Sequence, residues 1–248
     1  NGFDPSSTLT GSNVITLPDT VTELTNYANQ KCNGQDAVTL QTAFALSCNT
    51  AFVEMSEQLG ADELRKYAKA FGVGENYDLG VSTSAGTLGD LPDGAATAQS
   101  AIGQRDVTMT ALQAAVMAGT VANKGTRMQP YLVNRITDAQ MKDIRTTKPK
   151  KADQAVNEET AATLTDLMYA SERSSAGYDG NGFASKTGTA EHGEGLAPHV
   201  WYVAFDPERD IAVGVVVKNG GNLGESATGG KVSGPIGRAI LRAYQGEQ

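Results

Sequence analysis

The strongest constraint on the fold lies near the C-terminal end of the chain. Residues 199–206 and 211–218 each read as a strand, and Asp206-Pro207-Glu208-Arg209-Asp210 between them reads as the turn of an antiparallel hairpin. The second strand runs Ile211-Ala212-Val213-Gly214-Val215-Val216-Val217, apolar almost throughout, whereas a strand with one wet face would alternate. Such a strand requires helices on both of its faces. One helix that can supply part of the cover follows, with Ser233 as a possible N-cap, Pro235 in the first turn, and Ile236, Ile240 and Ala243 at helical spacing.

The earlier chain is mainly helical. Residues 51–59 form an apolar segment of helical character. In residues 62–71, Leu64, Tyr67, Ala68 and Phe71 fall at i, i+3, i+4 and i+7, with Gly72 available for a left-handed stop. Thr110 and Gln113 form a T-x-x-Q capping box for a helix ending near Gly125. Asn157 caps a further helix whose first turn carries Glu158 and Glu159, favourable at the positive end of the helix dipole. Residues 12–40 read as loops with short elements, 81–106 as a long ordered loop, 138–153 as a charged separator, and 183–187 as a strand. Helices, then an antiparallel sheet, then a helix indicate an α+β fold. With 248 residues, 40% of them hydrophobic, and no internal repeat, the chain is expected to form one large domain, or a domain with a small lobe.

Several functions are excluded. A formal net charge of −8 argues against a nucleic-acid partner, and the one basic run, Lys148-Pro149-Lys150-Lys151, is too short to reverse that. No phosphate-binding glycine motif is present, although residues 86–103 are glycine-rich. His192 and His199 are the only histidines, which limits a Ser-His-Asp arrangement. Glu191, His192, Glu194 and His199 lack the regular spacing of a metal site, so no metal is expected. No apolar stretch is long enough to span a bilayer.

Two motifs carry chemistry. Lys186-Thr187-Gly188-Thr189-Ala190 lies on a strand leaving a Gly180-Asn181-Gly182 turn, and Ser47-Cys48-Asn49 precedes the 51–59 segment. Each triplet is weak alone, since Lys-Thr-Gly is short and Ser and Asn commonly cap helices. Together, in this order and within an α+β pattern, they suit acyl transfer. Lys186 offers a positive charge to a neighbouring hydroxyl. Ser47 offers a hydroxyl that can pass a proton, and Asn49 has both a donor and an acceptor. Thr187 and Thr189 share one strand face, where two hydroxyls can meet a carboxylate, and Gly188 permits close approach.

With these motifs, and with Ile102-Gly103-Gln104, Gln129-Pro130-Tyr131-Leu132-Val133, residues 199–205 and Ala227-Thr228-Gly229-Gly230, the chain resembles the penicillin-binding transpeptidases, specifically the class B kind of actinobacterial A type. The resemblance implies the penicillin-recognising serine transpeptidase/β-lactamase-like fold, with a five-stranded antiparallel sheet flanked by helices and a mainly helical subdomain. It implies Ser47, Asn49 and Lys186 as catalytic residues, and Thr187, Gly188 and Thr189 as substrate-binding residues, with the Thr189 backbone N–H as an oxyanion donor. Peptidoglycan stem peptides and β-lactam antibiotics are the implied partners, with no metal and no organic cofactor.

The family's third motif is missing, because no serine in the 248 residues is followed three positions later by lysine. The expectation is therefore a transpeptidase domain, residues 1–248, without its N-terminal portion, whose serine nucleophile and membrane anchor lie upstream on the extracytoplasmic face. In that oxidising setting Cys32 and Cys48 can form a disulfide or remain two thiols. The alternatives are a serine β-lactamase or D,D-carboxypeptidase of the same fold, and a non-catalytic peptidoglycan or β-lactam sensor.

Overall fold

The structure, a computed structural model, describes residues 2–193 and 195–246. In chain order it contains strands β1 (Thr8–Thr10), β2 (Val14–Thr16), β3 (Glu23–Thr25) and β4 (Ala37–Thr39), then helices α1 (Leu40–Leu46), α2 (Asn49–Ala70), α3 (Gly94–Ala101) and α4 (Ala111–Ala122). Strands β5 (Thr126–Met128), β6 (Arg135–Thr137), β7 (Asp143–Thr146) and β8 (Lys151–Gln154) lead to α5 (Glu158–Ser174). Strands β9 (Ala184–Ala190), β10 (His199–Asp206) and β11 (Ile211–Val217) and helix α6 (Ser233–Gly246) complete the chain.

The hairpin forms in the register its turn dictates, from Asp206 opposite Ile211 to Val200 opposite Val217. Strand β9 pairs antiparallel with the other side of β10, setting Thr187 opposite Tyr202. Helices cover both faces. On one side Ala118, Val121 and Met168 pack with Ala184 and Phe205; on the other, Leu241 of α6 packs with Phe183, Tyr202, Ala204 and Val213. Full burial of Phe183, Tyr202 and Phe205 contributes about 2–3 kcal/mol for each ring. Helix α4 approaches β11 so closely that a Cβ at Gly214 would lie 2.7 Å from the Ala115 nitrogen, which explains the glycine within an otherwise apolar strand.

Three expectations need correction. The sheet has three strands among the described residues, in the order β11-β10-β9, rather than five. The shorter strands pair off as separate two-stranded ribbons, β1 with β4, β2 with β3, β5 with β8 and β6 with β7, and add nothing to the main sheet. β11, an edge strand among the described residues, is only partly covered, and Val213 is its one buried residue. Helix α6 is rotated from the face its isoleucines suggested: Ile236, Ile240 and Ala243 are exposed, while Gly234, Gly237, Arg238 and Leu241 are buried. An ion pair drawn inward by Arg238, described below, fixes that rotation.

Residues 81–106 are not all loop. Helix α3 begins at Asp93, whose carboxylate accepts from the Ala96 N–H at 2.7 Å, and its small buried residues Ala95, Ala96 and Ala98 fit against α2. A helix of alanine, threonine and serine has no large apolar side chains to reveal its period. The segments 51–59 and 62–71 join in α2, interrupted at Gly60 with φ 78° and ψ 166°. The capping box of Thr110 and Gln113 forms, and Asn157 caps α5 through the Thr160 N–H at 2.8 Å. The charged separator contains β7, which pairs back onto β6, and most of β8.

Candidate active site

The turn between α1 and α2 presents Ser47. Helix α1 closes with a Schellman motif, in which the Cys48 N–H donates to the Ala43 carbonyl at 2.9 Å and the Ser47 N–H to Phe44 at 3.2 Å. This places Ser47 in the left-handed region at φ 59°, a conformation that costs a non-glycine residue about 1 kcal/mol. Cys48 is buried and bonded to Cys32, with the Cα atoms 5.8 Å apart and a sequence separation of 16. Loop-entropy arguments assign such a crosslink about 3 kcal/mol, here spent on the turn that holds Ser47.

Ser47 opens onto a cavity of about 180 Å³. Opposite it, β9 contributes Thr187 and Thr189, whose hydroxyls make no hydrogen bond among the described residues. The end of α5 contributes Ser171, Ser174 and Ser175, and the segment before α6 contributes Thr228, Gly229 and Gly230. Gly229 is confined because a Cβ there would stand 2.8 Å from the Gly188 carbonyl and 2.9 Å from the Thr187 Cβ. Among the described residues no charged side chain lines the cavity, and seven of its lining residues carry hydroxyls. The Thr187 and Thr189 hydroxyls, not engaged in hydrogen bonds among the described residues, can donate to a carboxylate. Beyond β9 no further strand pairs among the described residues, leaving a free edge for an extended ligand.

Beneath this wall lies a buried polar network. Glu172, wholly buried on α5, accepts from Arg238 Nε at 2.6 Å, Asn181 Nδ2 at 2.9 Å and the Tyr202 hydroxyl at 3.0 Å, and also from the Ser185 hydroxyl. Burial, followed by the adjacent Glu172 carboxylate, pushes the Tyr202 phenol upward, so it stays a donor. Arg238 donates in addition to the Ala176 carbonyl at 2.9 Å and the Ser175 hydroxyl at 3.1 Å. Ser175, which accepts from this guanidinium, also lines the cavity.

The expected site residues are only partly assembled. Ser47, Thr187 and Thr189 line one cavity, and Gly188 sits at its back, where an added Cβ would meet the Trp201 Cβ at 3.3 Å. Asn49 does not line the cavity; it opens α2, and its amide donates to the Thr25 carbonyl at 3.1 Å. Lys186 points away from Thr187 and Thr189, as strand alternation requires. Its ammonium donates to the Thr187 carbonyl at 2.9 Å and lies 5.8 Å from the centre of the Phe44 ring, not bonded to the Ser47 hydroxyl. Of the adjacent pair Trp201 and Tyr202, Tyr202 is the core residue. His192 and His199 stack at 4.1 Å between ring centres, and His199 Nδ1 accepts from the Asn219 N–H. Among the described residues no group of three acidic, histidine or cysteine side chains could hold a metal, and Glu194 lies outside them.

Burial lowers the Lys186 pKa from 10.5 to about 8, so this amine can hold or release a proton near neutral pH. The sign for stability follows from the depressed folded value. Below pH 8 both states carry the proton and the penalty is constant; between about 8 and 10.5 the unfolded chain binds more protons and stability rises with pH. Lys186→Met should therefore be more stable than the parent at pH 7 by about 2 kcal/mol, with the gap closing by pH 10.5. Urea titrations at both pH values check this, and a gap independent of pH would contradict the desolvation of Lys186.

Comparison with known proteins meets this geometry. A family model described as the penicillin binding protein transpeptidase domain matches residues 1–242. The chain is 43% identical to peptidoglycan D,D-transpeptidase PbpA of Mycolicibacterium smegmatis over 98% of its own length and 51% of that protein's. It superposes with a TM-score of 0.92 and 40% identity on penicillin-binding protein A from M. tuberculosis in its ceftriaxone acyl-enzyme complex, covering 98% of this chain and 56% of the other. The penicillin G acyl-enzyme complex of that protein also gives a TM-score of 0.92. The chain thus spans about half the length of the relatives it matches. The hydroxyl-lined cavity, the Ser47 turn and the Lys186-Thr187-Gly188-Thr189 strand are therefore set in a fold shared almost from end to end, and the chain belongs to the penicillin-binding protein transpeptidase domain family.

Proposed function

We propose that these residues form the binding and proton-relay half of a peptidoglycan D,D-transpeptidase site. The observation that carries the reading is the single cavity in which Ser47 faces Thr187 and Thr189 beside the free edge of β9. A D-Ala-D-Ala stem peptide, or the β-lactam that mimics it, would lie along that edge with its carboxylate among the threonine and serine hydroxyls. Gly188 allows the close approach, and the Thr189 N–H would face the developing oxyanion.

The attacking serine is assigned to a segment upstream of these 248 residues, since no S-x-x-K occurs within them. Its oxygen bonds to the penultimate D-Ala carbonyl carbon, the peptide C–N bond breaks, and the departing D-Ala amine gains a proton relayed through Ser47. An amine from a neighbouring strand then attacks the ester, forming the cross-link and returning the serine. Lys186, set back behind Thr187, provides the positive field and can exchange protons with the relay. Asn49 would join on leaving the Thr25 carbonyl, placing its amide between the nucleophile's lysine and the substrate. Neither metal nor organic cofactor is required. Among the described residues no helix is long and apolar enough to cross a membrane, and we assign the anchor to the same upstream segment, on the extracytoplasmic face.

The test is turnover of a stem pentapeptide with an amine acceptor by a chain extended upstream to include the serine. The amide product, with one D-Ala released for each cross-link, is expected. Release of D-Ala into free acid alone would assign the site to a carboxypeptidase or β-lactamase reaction instead. Binding without any release would make it a sensor.

A further inference from the structure

The ribbon of β6 and β7 stands apart from the main sheet and pairs with no other strand among the described residues. It leaves the body of the protein through β5 and β8, where the Gln129 N–H donates to the Lys150 carbonyl at 2.9 Å. Tyr131, Leu132, Val133, Ile136, Met141 and Ile144 are all exposed on or beside it, three of them (Leu132, Met141 and Ile144) by 64–69%. Single exposed apolar residues are ordinary on any surface, but six within 14 consecutive positions are a local concentration of them.

The same segment has the opposite charge to the rest of the protein. Residues 131–151 contain six Lys or Arg against two Asp, in a chain of net charge −8. Arg135 pairs loosely with Asp143 at 3.6 Å, both side chains half exposed. Lys142, Arg145, Lys148 and Lys150 make no ion pair among the described residues, and Ile136 sits opposite Arg145 across the ribbon. Lysines can discourage edge-to-edge aggregation of an exposed ribbon. That role does not call for six exposed apolar side chains among them.

We propose that this ribbon docks onto the anionic headgroup face of a lipid bilayer, its apolar side chains entering the boundary between headgroups and acyl chains. The local excess of positive charge beside exposed apolar side chains favours lipid over an acidic protein. A fluid interface accepts apolar side chains without shape complementarity, and Lys142, Arg145, Lys148 and Lys150, which make no ion pair among the described residues, suit a diffuse negative surface. The inference is independent of the acyl-transfer chemistry proposed above.

Sedimentation with lipid vesicles tests it. The chain is expected to pellet with phosphatidylcholine vesicles containing about a third phosphatidylglycerol, and about ten-fold less with phosphatidylcholine alone. Leu132→Asp combined with Ile144→Asp, and separately Lys148→Glu combined with Lys150→Glu, should each lower the bound fraction about ten-fold, with the far-ultraviolet circular dichroism unchanged. Equal binding to neutral vesicles, or full binding by either variant, overturns the proposal. So does failure to sediment by a chain that is nevertheless retained on immobilised polyglutamate, which would point to an acidic protein surface.

Discussion

Replacing Arg238 with methionine should lower the free energy of unfolding by about 3–5 kcal/mol, because it strands Glu172 as a buried, uncompensated carboxylate. Arg238 and Glu172 are 2% and 1% exposed at their side chains, so water cannot take over the lost contacts. The ion pair itself need not be a net stabiliser; what is costly is breaking it from one side. The double variant Glu172→Met with Arg238→Met should therefore recover much of the loss, although Tyr202, Ser185 and Asn181 then lose their acceptor. Urea denaturation of the two single variants and the double gives the coupling energy directly. Additive single losses would show that the network has no coupled role. The loss should also reach the cavity, because the same guanidinium holds Ser175 and the Ala176 carbonyl in its wall.

The second large effect concerns Lys186. In a chain extended to include the serine, Lys186→Met should lower the rate of penicillin acylation by roughly 10²–10⁴-fold, the range usual for removing a proton-transfer group. The same substitution is expected to stabilise the fold at neutral pH, since it removes a desolvated ammonium. A change that slows the reaction while raising the urea midpoint separates a chemical role from structural damage. A variant that is both less stable and slower would not support the assignment.

Much of this was legible in the sequence, for identifiable reasons. The hairpin, the Thr110 capping box and the Asn157 cap all rest on local rules, namely continuous apolar strands and side chains that cap their own helices. What escaped was set by tertiary contacts. Helix α3 is built of small residues whose burial has no periodic signature. Helix α6 took its rotation from one buried arginine, overriding the isoleucine stripe. Ser47, Thr187 and Thr189, named from the motif triplets, line one cavity, but the orientations of Asn49 and Lys186 depended on the Thr25 carbonyl and the Phe44 ring, which no spacing rule supplies. Ser171, Ser174 and Ser175 were missed altogether; their only trace in the sequence is a cluster of hydroxyls at the end of the Asn157 helix, shortly before the Gly180 turn.

The most direct test locates the acylated atom. Penicillin is incubated with the 248-residue chain and with a chain extended upstream, and each is mapped by peptide mass spectrometry. The expected result is no adduct on the shorter chain, and one adduct on the longer chain at a serine outside residues 1–248. An acyl group on Ser47, or on any other residue within the 248, would contradict the assignment of these residues to the binding and relay half of the site.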